Sequence, residues 1–238
     1  MALPIYLAMT QGEFLRCQHF PEHIAWMESS FSPSGSGLHQ LPKSLVPESL
    51  LMVTDQFPPN NHNPQLIIQQ LIRTAKEFSI SGVVLDFQRP FCQEIARIAD
   101  AIRESLPCPV AVTPPYATTK SSTVFLPPVP VNLSANKYLA PFAGREIWLE
   151  TELRGLEMTV TGNGCTSTPL ESPLCGNIFE DSLCRCHYTI DIEEDRAVFS
   201  LRRSREDLQA LLSDAEKMGV TKALGLYQEQ VLFVHSST

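Results

Sequence analysis

The chain has 238 residues and carries 26 acidic against 18 basic side chains, a net charge of -8. It therefore lacks the clustered Lys and Arg that a nucleic-acid or anionic-membrane surface needs. Its 43% hydrophobic and 18% charged content suits a globular domain with a sizeable core, and 19 prolines against 11 glycines predict many stiff loops. No apolar run is long enough for a transmembrane helix, and the first ten residues lack the charged start and apolar core of a signal peptide, so a cytoplasmic location is expected.

In chain order, the apolar runs Pro4 to Met9, Ile24 to Phe31 and Leu50 to Asp55 read as strands, each followed by a polar or turn-rich segment. The last of these segments is FPPNNHNP. Pro64 opens a helix, with Asn63 as its cap and Leu66, Ile67, Leu71, Ile72, Ala75 and Phe78 at helical spacing. The strand SGVVLDF follows, then a second helix from Gln93 to Leu106 and a strand from Val110 to Thr113. Alternation of this kind is the signature of parallel βαβ units.

Beyond Thr113 come proline-rich loops, the strands Glu146 to Leu153 and Glu157 to Thr161, and a polar loop insertion around 162–185. His187 to Ile192 and Ala197 to Leu201 flank the charged turn Glu193 to Arg196 as a β-hairpin. The run Arg202-Arg203-Ser204-Arg205 reads as a solvated turn, Ser204 caps a helix from Arg205 to Met218, and Lys222 to Tyr227 is the final strand. Seven or eight parallel strands with several early connections lacking a helix predict an irregular α/β (β/α)8 TIM-like barrel occupying 1–238 as a single domain; a doubly wound sheet is the alternative.

No GxGxxG or Walker pattern follows any strand, so no nucleotide or other cofactor is expected. The seven cysteines are odd in number and irregularly spaced. Among them Cys165, Cys175, Cys184 and Cys186, with His187, lack the CxxC spacing of a zinc knuckle, which favours free thiols and no metal.

A barrel gathers its site at the carboxyl ends of its strands. Glu28, Asp55, Asp86 and Glu150 stand at such ends and are the candidate catalytic carboxylates. Gln88, Trp26, Tyr116, Trp148, Tyr227 and Gln228 are candidate substrate-binding residues. One such carboxylate can be a simple cap, but several held close must pair, share protons or bind something.

The segment SGVVLDFQRP resembles the fourth-strand motif DGxDxDxE of family 18 glycoside hydrolases, the chitinase-like barrels. Gly82 matches the glycine, Asp86 the Asp that orients the substrate N-acetyl group, and Gln88 falls on the general acid, while Val84 replaces the inner Asp. The final hairpin, helix and strand resemble the end of those barrels. The resemblance implies a saccharide or other small polar ligand, but an amide has no proton to give, so chitinase-type catalysis is expected to be absent. Three readings follow: a saccharide-binding barrel, a hydrolase with a relocated carboxylate pair such as Asp86 with Glu28, Asp55 or Glu150, and a non-enzymatic scaffold for a protein partner of unknown identity.

Overall fold

A computed structural model describes residues 3–17, 19–35, 37–42, 44–56, 63–119, 122–153 and 155–229. Most of the expected loop FPPNNHNP, residues 57–62, lies outside them. Eight parallel strands close on themselves: β1 (Ile5–Met9), β2 (Ile24–Phe31), β4 (Leu50–Thr54), β5 (Gly82–Asp86), β6 (Val110–Val112), β7 (Thr123–Leu126), β8 (Ile147–Thr151) and β14 (Val220–Leu226). Closure is made by β1 pairing in parallel with both β14 and β2, and the two-residue β3 (Leu38–His39) adds antiparallel to β2.

Alternation along each strand separates two cores. Tyr6, Ala8, Ala25, Leu50, Met52, Val84, Ala111, Phe125, Trp148 and Leu224 form one buried cluster. Because every barrel strand contributes to it, this cluster fills the barrel interior. The other parity faces the outer layer, where Val53, Val83, Leu85 and Val112 pack with Ile67 and Leu71 of α2 (Pro64–Phe78) and Ile95, Ile98 and Ile102 of α3 (Gln93–Ser105). The Asn63 side chain accepts from the N–H groups of Gln65 and Leu66, so the expected cap starts α2.

The outer layer is thin elsewhere. β1 leads to a single turn, α1 (Gln11–Phe14), and β7 leads to the short α4 (Ala135–Leu139). On that side α5 (Arg205–Glu216) packs Leu208, Leu211 and Leu212 against Val124, Leu149 and Ala223.

Between β8 and α5 the chain leaves the barrel and builds a five-stranded antiparallel sheet in the order β10-β9-β13-β12-β11. Its strands are β9 (Gly155–Thr161), β10 (Gly164–Leu170), β11 (Phe179–Asp181), β12 (Cys186–Ile192) and β13 (Arg196–Arg202). The span 162–185, expected as loop, thus contributes β10 and β11. Its Ser and Thr residues hid this because β10 is an exposed edge strand with almost no core contact to reward apolar side chains. The expected hairpin at Glu193 to Arg196 joins β12 to β13.

Arg203 anchors this sheet, and here the expectation of a solvated turn is corrected. Its side chain is buried and donates to the carbonyl oxygens of Val129, Pro130 and Leu133 on one side and of Cys184 and Arg185 on the other. One guanidinium fork satisfies carbonyls on two loops that no regular ladder pairs.

Candidate functional site at the barrel mouth

The barrel has a sealed floor and a polar mouth. At the floor the Trp148 indole, fully buried, crosses the interior toward β5. A Cβ on Gly82 would lie 2.5 Å from its Cη2 atom, so only glycine leaves room for the ring. The indole Nε1 donates to Glu146 Oε1 at 3.0 Å, and Thr221 and Thr123 donate their hydroxyls to the same carboxylate. Lys222 places its ammonium 4.5 Å from the centre of the indole ring. Burial alone would raise the Glu146 carboxyl, but these bonds and the Lys222 charge more than offset it and hold it below its ordinary value.

Two residues further along each strand, the same inward parity brings charge to the open end. Asp86 follows Val84 on β5, and Glu150 follows Trp148 on β8. Burial raises the Asp86 carboxyl, with a smaller contribution from nearby Asp55, while a hydrogen bond from Gln88 works against the rise. Burial also lifts Glu150, to about 7, and the charges of Asp86, Glu152 and Glu229 add to it. The field of Asp86 therefore reaches Glu150 across the mouth, and together with burial it favours the protonated form of Glu150.

The Gln88 side-chain amide donates from Nε2 to both oxygens of Asp86, at 3.1 and 3.3 Å. Period-two alternation puts both side chains of D-x-Q on one face, with Phe87 between them turned outward into the core against Phe31 and Tyr116. Beside the mouth, a cavity of about 360 Å3 runs between the Pro128 to Val131 loop and the edge of the antiparallel sheet, with Glu152 in its wall.

The other candidates are occupied elsewhere. Asp55 is one residue past β4 and buried, and it accepts from the backbone N–H groups of Gln88 and Arg89, so it caps the turn after β5. Glu28 accepts from Gln11 N–H at 3.0 Å and fixes the start of α1. Trp26, Tyr116 and Trp148 are each no more than 1% exposed, which removes them as faces for a ligand to stack on. Trp26 packs outward against Phe14, Tyr116 accepts from Cys92 N–H, and Trp148 is the floor. Tyr227 packs against the outer core, and the Gln228 amide donates to Glu13 Oε1 at 2.7 Å, tying β14 to α1.

Of the carboxylates offered as partners of Asp86, Glu150 is the one whose carboxyl the Asp86 charge raises. Two features escaped the sequence reading. The role of Asp55 depends on a turn from another strand. The second is Phe91, exposed at 55% and stacked on Tyr116 at 5.3 Å just after the β5 turn. Its signal was an aromatic following Arg89-Pro90 in a loop at the carboxyl end of a strand.

All seven cysteines are free thiols. Among the described residues no group of three or more His, Cys, Asp or Glu side chains could hold a metal ion, and no helix is long and apolar enough to cross a membrane. His187, grouped with the cysteines in the sequence, instead meets Asp207 at 2.8 Å.

The chain matches no protein-family model and no curated protein sequence. Its fold does match solved structures. The spore cortex-lytic enzyme SleL of Bacillus cereus aligns over 100% of this chain and 75% of its own, at 11% identity and TM-score 0.56. A chitinase from Chromobacterium violaceum aligns over 94% and 93%, at 10% identity and TM-score 0.56. A family 18 chitinase from Cycas revoluta in complex with (GlcNAc)3 aligns over 94% of both chains, at 11% identity and TM-score 0.56. The barrel is thus of the kind found in family 18 glycoside hydrolases.

Proposed function

We propose that the barrel mouth binds a saccharide and does not hydrolyse it by the chitinase route. The observation that carries this reading is the Asp86–Gln88 pair. An inward carboxylate is held by an amide donor at the position where the family 18 motif places its acid. A carboxamide orients a neighbour and hydrogen-bonds a hydroxyl or N-acetyl group, but it cannot protonate a leaving oxygen. Asp86 then serves as acceptor for a sugar hydroxyl or amide N–H, Gln88 sets its rotamer, and protonated Glu150 donates from the opposite wall. N-acetylglucosamine oligomers, bound by one structural neighbour, are the first ligands to test.

Calorimetry with N-acetylglucosamine trimer, paired with product analysis, tests the reading. The wild type binds without releasing shorter sugars, Asp86→Ala loses binding, and Gln88→Glu retains it. Absence of binding by both the wild type and Gln88→Glu overturns it.

A second reading rests on Glu150. A carboxyl near 7 is matched to general acid work at neutral pH, and Asp86 supplies a carboxylate within its field. On that reading the wild type cleaves a glycoside, activity falls as pH rises through about 7, and Glu150→Gln abolishes it.

A further inference from the structure

Period-two alternation in the antiparallel sheet separates an apolar face from a polar one. The strand register puts Ile192, Ala197 and Val160 in one cross-strand row and Ile190, Phe199 and Met158 in the next. The opposite face carries Thr159, Thr161, Thr189, Asp191 and Ser200 around one apolar residue, Val198. At its base the apolar face is covered, because Cys186, Leu156 and Leu201 pack with Val131, and the Asn132 amide donates to Met158 Sδ. Toward the β12–β13 turn exposure climbs, from 0% at Cys186 through 38% at Ile190 to 76% at Ile192. Val160 and Phe179 are exposed on the same face. A contiguous exposed apolar patch with a charged rim marks a surface that a partner covers.

Charge decides which partner fits. The span 155–201 carries eight acidic side chains against two arginines and no lysine, which is −6 of the chain's net −8. Both arginines are already paired, Arg196 with Glu193 and Arg185 with Asp214. Glu194 and Asp195 stand exposed on the turn that follows Ile192. A second copy of this face would set acid against acid, and an anionic lipid surface would be repelled in the same way, whereas a basic partner is drawn in. Size adds a further limit. From Tyr188 to Ile192 the face runs roughly 13 Å, and β9, β13 and β12 together span roughly 10 Å. That is room for about nine residues of an α-helix, whose diameter of about 10 Å matches the width.

We propose that the outer half of this face docks a basic amphipathic helix of another protein. The apolar stripe of the helix lies on Ile190, Ile192, Val160 and Phe199, and its Lys or Arg side chains meet Glu194 and Asp195. The proposal goes beyond the saccharide reading and uses none of its residues.

The test uses the full chain and two 14-residue peptides in calorimetry, one with Leu at helical spacing and Lys elsewhere, the other with Glu in place of Lys. The Lys peptide binds with unit stoichiometry and about tenfold more tightly than its Glu twin. Ile190→Thr with Ile192→Thr weakens that binding by about tenfold, and Glu194→Lys with Asp195→Lys weakens it by a similar factor. Any acidic protein attracts a cationic peptide, so Glu94→Lys with Glu104→Lys, exposed acids on α3, is the matched control and changes binding by less than about twofold. Thermal melts confirm folding, and if one of the two sheet variants does not fold the other decides. Equal binding of the two peptides, or full retention of binding in a folded sheet variant, overturns the proposal. So does a dimer in sedimentation, or binding to anionic phospholipid vesicles, that Ile190→Thr with Ile192→Thr abolishes, since either gives the face to a different occupant.

Discussion

The floor and the mouth of the barrel are two residues apart along the same strands, and they treat polar groups in opposite ways. At the floor, Glu146 receives three hydrogen bonds and the charge of Lys222, and its carboxyl is held low. At the mouth, Asp86 and Glu150 are half-buried acids whose carboxyls are both raised, Glu150 in part by the charge of Asp86, and the bond from Gln88 offsets the rise of Asp86 only in part. A fold built for stability alone would satisfy both ends. Electrostatic cost kept at one end marks that end as the place where a ligand supplies the missing partners.

The largest expected effect breaks the floor. Trp148→Ala leaves a cavity spanning the interior and destabilises the chain by about 3–5 kcal/mol, read from urea unfolding. Gly82→Ala drives a methyl into the same indole and costs about 1–3 kcal/mol, with the loss suppressed in the Trp148→Ala background.

At the mouth the sign reverses. The folded chain keeps the Glu150 proton up to about 7, whereas an unfolded chain releases it near 4.5, so stability is lost as pH rises through that window. Glu150→Gln removes the burden. The variant is more stable than wild type by on the order of 2 kcal/mol at about pH 8, and the two converge at about pH 4. Asp86→Asn gives the smallest change, within about 1 kcal/mol of wild type, because its amide relieves the repulsion while reducing the bond from Gln88. Thermal melts of both variants across this pH range check the contrast.

How far the sequence could be read depended on the range of the interaction. Period-two alternation in SGVVLDF placed Val84 and Asp86 on one face and Phe87 on the other, and the closed barrel has them so. Asn63-Pro64 marked the start of α2 because a cap is a contact between near neighbours. Parity alone could not say which face of a strand was inside. Trp26 and Trp148 therefore looked equivalent, yet one packs outward on Phe14 and the other plugs the barrel. Asp55 and Glu28 resembled Asp86 as acids near strand ends, but their hydrogen bonds go to backbone on other strands and turns. Arg203 misled for a related reason: a run of arginines reads as solvated until two distant loops present their carbonyls to one of them.

The central claim is that Asp86, with Gln88 behind it, is a saccharide acceptor. The most direct measurement is a calorimetric titration of the wild type and Asp86→Ala with N-acetylglucosamine trimer, with chromatography of the recovered sugar. Saturable binding by the wild type, its loss in Asp86→Ala and recovery of intact trimer are the predicted results. Equal binding by both proteins, or conversion of the trimer to shorter sugars by the wild type, contradicts the account.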